Sequence, residues 1–303
     1  MGGRARIAAE TPDEQRLQLV LEPVLQEAGW VIDHSLDRLW NRRLGSRWVL
    51  EATGDGPRAV TVLTAPQASE LSRVSSAWPK SHILATQSFT ADVSSEVSWL
   101  PRLVPDYCFP PGVGADPFGI TAKFRLESRP RLVYLGGYTH GAVLTRLLET
   151  ASDLLTVDGE LVLPDSLSLR AAWAPVVRRM QLAERVVFLP SLTGPEMAGL
   201  LLGADVLLAL DPTDTGRTLA SWGLASGTPI VAQHSPINEA LFGPAALWVY
   251  EESASVWRRA ILQALDRVPL RETLTDRALA ASEAWRLSEA QEAWTQRLKL
   301  LER

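Results

Sequence analysis

Between Arg131 and Ala232 the chain alternates short, almost purely apolar runs with longer segments of helical periodicity, and few architectures accept that rhythm. The runs read LVYL, LVL, VVFL, VLLAL and IVA, which places strands at Arg131–Leu135, Glu160–Leu163, Arg185–Leu189, Val206–Leu210 and Pro229–Ala232. Helices are predicted between them at Ala142–Leu155, Leu169–Met180, Pro195–Leu202 and Arg217–Ala225. A strand with no polar alternation has both faces covered, so the runs belong to a parallel sheet flanked by helices. Strand and helix in strict succession make that sheet doubly wound.

The rest of the chain is organised around this half. At 303 residues it exceeds what one core usually covers, so two domains are expected. Upstream, Thr11 is a plausible N-cap for a helix running to Ala28, with Leu17, Val20, Leu21, Val24 and Leu25 on one face and Gly29 as its stop. Strand candidates follow at Trp30–Ile32, Trp48–Glu51, Ala59–Leu63 and His82–Thr86. A helical stretch is then expected at Thr90–Val97 and a last strand around Leu103–Phe109. Residues 110–129 are turn-rich and read as a linker. From Ala254 onward the pattern is helical, broken near Pro269, and a final helix carries Trp285, Leu287, Ala290, Trp294 and Leu298 on one face.

Composition excludes several classes. Apolar residues form 46% and charged residues 21% of the chain, the balance of a folded globular protein. A formal charge of −5, with Lys and Arg spread evenly, lacks the basic footprint that nucleic-acid binding needs. The one cysteine, Cys108, cannot form an internal disulfide, and neither a signal segment nor a long apolar run is seen, so the cytoplasm is the expected compartment. Peripheral membrane contact through the first helix, or a protein partner, stays open. No Ser-His-Asp order, P-loop or paired Cys/His ligand set is present, His34 and His82 have no metal spacing, and no metal site is expected.

Several segments, in order, resemble the group-1 (family 4) retaining glycosyltransferases. "HILATQSFTADVSSEVSWLPRLVPDYCFPPGVGADPF" (residues 82–118) is similar to the end of that family's N-terminal domain, with Pro110-Pro111-Gly112-Val113-Gly114 at its P-N-G-V-D turn. "LVYLGGYTHG" resembles the first strand and Gly-rich turn of the donor domain. "RVVFLPSLTGPEMAGLLLGADVLLAL" resembles the strand, base-binding loop and short helix that follow. "ASGTPIVAQHSPINEALFGPAALWV" (residues 225–249) is like A-x-G-x-P-V-V-A…E…G-x-A-A-L, and the last helices are similar to those that cross back onto the N-terminal domain. The resemblance implies a GT-B-like α/β fold, with two Rossmann-like domains whose parallel sheets face across a cleft. It implies a reduced N-terminal, acceptor-side domain over residues 1–118, joined by helix 284–303, and a nucleotide-sugar domain over 119–283. The implied activity is a nucleotide-sugar-dependent hexosyltransferase of glycan biosynthesis, with a UDP- or GDP-linked donor, an unidentified acceptor and no metal cofactor.

Such chemistry must hold a diphosphate and stabilise it as it leaves, which calls for backbone N–H groups at helix N-termini and for cations. Gly136 and Gly137 after the first strand, and Thr215-Gly216 before the helix at Arg217, offer amides, though ordinary βα turns would look the same. Where the family has Arg and Lys near the Gly turn, this chain has Gly137 and His140. Arg217 is the best substitute cation unless it is a solvated surface residue. The family's two Glu with seven residues between map onto Asp214 and Trp222. Indole only donates hydrogen bonds, so it cannot accept from a ribose as that second acid does. Trp222 then either stacks on a base or sugar or fills core. Glu239, at a family position near the donor, can accept a hydroxyl hydrogen bond. The loss of the Arg/Lys pair and second acid motivates the alternative of a catalytically inactive GT-B-like module that partners another glycosyltransferase or a protein. The chain also appears without the opening strand and Gly-rich loop of the family, beginning instead with a helix.

Overall fold

The computed structural model describes residues 4–6, 12–28, 31–33, 48–52, 58–63, 82–86, 97–110, 130–136, 141–154, 159–210 and 216–301. The chain divides into two compact units, 1–106 with 284–303, and 107–283.

The first unit holds β1 (Arg4–Arg6), α1 (Pro12–Glu27), β2 (Val31–Asp33), β3 (Trp48–Ala52), β4 (Arg58–Leu63), β5 (His82–Thr86) and β6 (Val97–Leu100). Its six strands are ordered β2-β1-β3-β4-β5-β6. This sheet is mixed, a departure from the all-parallel expectation: β4-β5-β6 and the β1–β2 pair run parallel, whereas β3 is antiparallel to both β1 and β4. Two strands joined by a short connection, as Ala52 and Arg58 are, can only pair antiparallel, because a parallel crossover needs a dozen or more residues. The expectation that the chain opens on a helix is corrected by β1, a three-residue strand with too little pattern to read. The strand expected around Leu103–Phe109 is likewise replaced. The sheet ends at Leu100, and Asp106–Cys108 is a 3-10 turn. Val97 opens β6 instead of closing a helix; residues 90–96 and the linker from 111 to 129 lie outside the described residues.

The unit's described core is helical. Leu17, Val20, Leu21, Val24, Leu25 and Ala28 of α1 and its end meet Leu100, Leu103 and, from the far end of the chain, Ala290, Trp294 and Leu298 of α9 (Leu287–Leu301). The Trp294 indole N–H donates to Pro101 O at 2.8 Å, so the ring's polar edge is satisfied where its body is buried. A single parallel bridge carries the returning segment: Val104 N donates to Trp285 O, and Leu287 N donates to Val104 O. The buried Arg102 guanidinium lies 4.3 Å over the Trp285 ring.

The second unit contains β7 (Arg131–Tyr134), α2 (Gly141–Leu154), β8 (Glu160–Leu163), α3 (Leu167–Arg179), β9 (Val186–Phe188), α4 (Gly194–Leu202), β10 (Val206–Ala209) and α5 (Arg217–Ala225). It continues through β11 (Ile230–Gln233), α6 (Pro236–Phe242), β12 (Ala246–Val249), α7 (Ala254–Asp266) and α8 (Val268–Ser282). All five strand pairings are parallel, in the order β9-β8-β7-β10-β11-β12. In units of this domain that is 3-2-1-4-5-6, the doubly wound dinucleotide order. The strand β12 and helix α6 extend the predicted series by one βα step. Every residue of β7 and β10 is buried, as a sheet with helices on both faces requires. Pro269, expected to break the last helical region, starts α8 at a position where its missing N–H costs nothing.

Candidate functional site

In an open parallel sheet, ligands settle outside the carboxyl ends of the strands where the order reverses, because two neighbouring connections leave in opposite directions there. Here that point lies between β7 and β10. The β7 chain continues through Leu135 to Gly136, and β10 leads to Gly216 and α5. The two are tied directly: Leu135 N donates to Leu208 O at 2.9 Å, and Gly216 N donates to Leu135 O at 3.1 Å. The N-terminus of α5 is therefore held against Leu135, just past β7.

Gly216 is the N-cap of α5, and no side chain caps it. Its carbonyl accepts from Ala220 N, which closes the first turn of the helix. Arg217 is the first helical residue and half-buried. Gly136 is buried, and a Cβ there would overlap the Tyr134 ring, so its small size has a packing cause. Gly137, His140, Asp214 and Thr215 lie outside the described residues.

Trp222 sits in the middle of α5 with 0% of its surface exposed. Its ring meets Tyr107 edge-on, centroids 6.1 Å apart, and its Nε1 has no hydrogen-bond partner. In this structure the indole packs as core and offers no face for stacking. Burial, and then the neighbouring Cys108 thiol, push the Tyr107 phenol well above its ordinary value, which keeps it protonated beside the ring. Glu239 is exposed in the first turn of α6, beyond the carboxyl end of β11. The Ser235 side chain caps that helix by accepting from Asn238 N, and the buried Asn238 donates to Gln233 O, which fixes the turn that carries Glu239.

One residue at this edge was not singled out from the sequence. Asp165 follows β8 with φ of 55°, a left-handed conformation that Asp tolerates better than most residues. Its Oδ1 accepts from Leu192 N at 2.9 Å. Around it the β8 and β9 turns are stitched by Leu189 N to Leu163 O and Ser166 N to Leu189 O, and Thr193 closes the β9 loop with a capping box to Glu196. The β7–β8 register pairs Val133 with Val162, so the turn that carries Asp165 follows the strand next to β7. The available signal was an acid placed just after the second strand of a Rossmann-like series.

Among the described residues, no group of three His, Cys, Asp or Glu could hold a metal, and no helix is long and apolar enough to cross a membrane.

No protein-family model and no curated protein sequence matches the chain. Solved structures do. WaaG, a glycosyltransferase involved in lipopolysaccharide biosynthesis, superposes with a TM-score of 0.65 at 12% identity, over 97% of both chains. Sucrose-phosphate synthase from Thermosynechococcus elongatus matches with a TM-score of 0.57 at 16% identity, over 90% of this chain and 66% of that one. Anabaena HepE, whose crystal structure holds UDP-glucose, gives a TM-score of 0.57 at 11% identity, over 77% and 68%. At these identities the likeness concerns the fold: the chain has a GT-B-like α/β fold.

Proposed function

We propose that the protein transfers a hexosyl group from a nucleotide sugar to an acceptor, with the donor bound at the β7/β10 carboxyl edge of the second unit. The observation that carries this reading is the Gly216 N to Leu135 O hydrogen bond, which holds the N-terminus of α5, with Arg217 in its first turn, against the chain just past β7. Amides and a cation converging on one point are what a diphosphate leaving group needs. That HepE binds UDP-glucose on the same fold supports a UDP-linked donor, with GDP the other candidate.

The diphosphate rests on the amides of Gly136, Gly137 and Thr215, beside Gly216, and on Arg217, with His140 as a second, titratable cation and no metal ion. As the bond from the anomeric carbon to the diphosphate breaks, its electron pair leaves with the diphosphate, and these donors stabilise the added charge. The acceptor oxygen bonds to the anomeric carbon in its place and gives its proton to the departing diphosphate oxygen. Asp214 and Glu239 accept hydrogen bonds from the transferred sugar, and Trp222 shapes the floor by packing against Tyr107. The resemblance to the family 4 enzymes supports retention of anomeric configuration.

Calorimetric titration with UDP, GDP and ADP tests the site without knowledge of the acceptor. One nucleotide is expected to bind in the micromolar range and to weaken about tenfold or more in Arg217→Ala, the loss of one charge-assisted contact. Absence of binding by all three at millimolar concentration would overturn the reading.

A further inference from the structure

At the carboxyl edge of the second sheet one ring stands open to solvent. Tyr250, the residue after β12, is 72% exposed, more than any other large apolar side chain among the described residues. A lone exposed ring carries little information, but this one is held. His234, just past β11, stacks on it with centroids 4.7 Å apart and planes at 29°, and Trp248 meets the same imidazole edge-on at 5.5 Å. His234 N donates to Val249 O at 2.8 Å, which ties the two chains where the rings meet. Two residues on, Glu252 pairs with Arg146 of α2 at 2.8 Å and accepts from Gln233 Nε2 at 3.1 Å, so the chain leaving Tyr250 is anchored as well. We propose that Tyr250, backed by His234, is a platform on which a neutral pyranose ring of a glycan stacks; taking the ligand as a saccharide rests on the hexosyl-transfer reading above.

The surroundings of the ring favour that ligand. A pyranose has a face of C–H groups and a rim of hydroxyls, so it needs a flat apolar surface beside hydrogen-bond acceptors. Tyr250 supplies the surface. Glu251 follows it directly and Glu239 stands on α6, five residues after His234, and both are exposed. Ionised carboxylates accept from hydroxyls and repel a phosphate or a second carboxylate, which sets a neutral sugar above an anionic one.

A protein partner fits less well. Glu251, Glu252 and Ser253, next along the chain, are exposed and polar, and the unit's other exposed large apolar side chains, Leu262 and Val268, lie two turns into α7 and at the start of α8. One ring falls far short of the roughly 800 Å² per partner that a stable interface buries. The site is also well placed for a glycan. All strands of this sheet are parallel, so β12 ends on the same edge as the proposed donor site, two strand spacings or about 10 Å beyond β10. An oligosaccharide acceptor held at the donor edge has further rings to reach Tyr250.

The test uses the intact chain and three neutral disaccharides, cellobiose, lactose and maltose, read by saturation-transfer NMR. At least one is expected to bind with a Kd of about a millimolar, with saturation strongest on the C–H protons of one ring. Tyr250→Ala should weaken it about three- to tenfold, the loss of one stacking contact, with a thermal midpoint near wild type because the ring is exposed. Tyr250→Phe should keep the affinity, since the ring face and not the hydroxyl is used, and glucuronate should bind more weakly than glucose. Saturation of none of the three disaccharides, or an affinity unmoved by Tyr250→Ala, would overturn the proposal. A sedimentation coefficient that changes with Tyr250→Ala while no sugar binds would overturn it too and reassign the face to a second copy of the chain. Nucleotide titration keeps the two readings apart: Tyr250-dependent sugar binding by a chain that binds none of UDP, GDP and ADP removes the donor site and leaves the platform, whereas nucleotide binding without sugar binding removes the platform alone.

Discussion

At the scale of single residues, several positions in the second unit are decided by space. Gly136 sits where the Tyr134 ring, two residues earlier and on the same side of β7, already fills the volume of a side chain. Tyr134 is fully buried in the cluster formed with α2 and α7, so it cannot swing away. Gly136→Ala is expected to cost about 1–3 kcal/mol through overpacking, and Tyr134→Leu combined with it should recover part of the loss, because the overlapping ring atoms go. Urea unfolding of the two single variants and the pair checks this. An additive pair would show that the ring is not the obstacle. Gly227, after α5, has another cause: its φ is 70°, and a Cβ would come within 3.1 Å of Leu279. It lets the chain turn into Thr228, whose hydroxyl donates to Leu201 O and locks the end of α5 to that of α4.

At the scale of elements, the ligand edge of the sheet owes its geometry to its opposite end. Arg131 begins β7 and is buried there. Its Nε pairs with Glu160 of β8, and its backbone exchanges hydrogen bonds with Asp205 ahead of β10, through N to Oδ2 at 2.7 Å and through O from Asp205 N at 2.9 Å. One residue thus fixes β7 to both neighbours, and the register it sets runs to Tyr134. With side chains only 6% and 14% exposed, the pair is desolvated on both sides. Removing one partner from such a pair strands the other charge, so Arg131→Met is expected to lose about 3–5 kcal/mol. Adding Glu160→Leu should return much of it, since an apolar pair of similar volume strands nothing. Chemical denaturation of both variants decides the point. If the double substitution is no more stable than the single one, the stranded carboxylate is not the cause.

At the scale of the whole molecule, how much could be read from sequence follows from how local each signal is. The second unit's strands fall within a residue or two of their expected bounds, because each is a continuous apolar run between turn residues, and Arg217–Ala225 and Glu160–Leu163 coincide fully. The faces of α1 and α9 were legible from their spacing. The mixed pairing of the first sheet was not, since a three-residue strand such as β1 has no period. Of the candidate site, the Gly216–Arg217 helix start was visible as a glycine before an amphipathic run. The burial of Trp222 depends on Tyr107, more than a hundred residues away, and Asp165 is marked by a backbone angle and a cross-loop bond. The same distinction between local and distant contacts governs how the chain should open. Leu21, Val24 and Leu25 of α1 are covered by Trp294 and Leu298, so the first unit's described core is completed only by the last helix, whereas the second unit's sheet is built from consecutive βα steps. Trp294→Ala removes the largest side chain of that small cluster and its bond to Pro101 O, a loss of about 3–5 kcal/mol. Hydrogen exchange is expected to show the protection of α1 and α9 falling by that amount while β7, β10 and β11 keep theirs, because few of their hydrogen bonds depend on the helix. An equal fall in both units would mean that they unfold as one cooperative body.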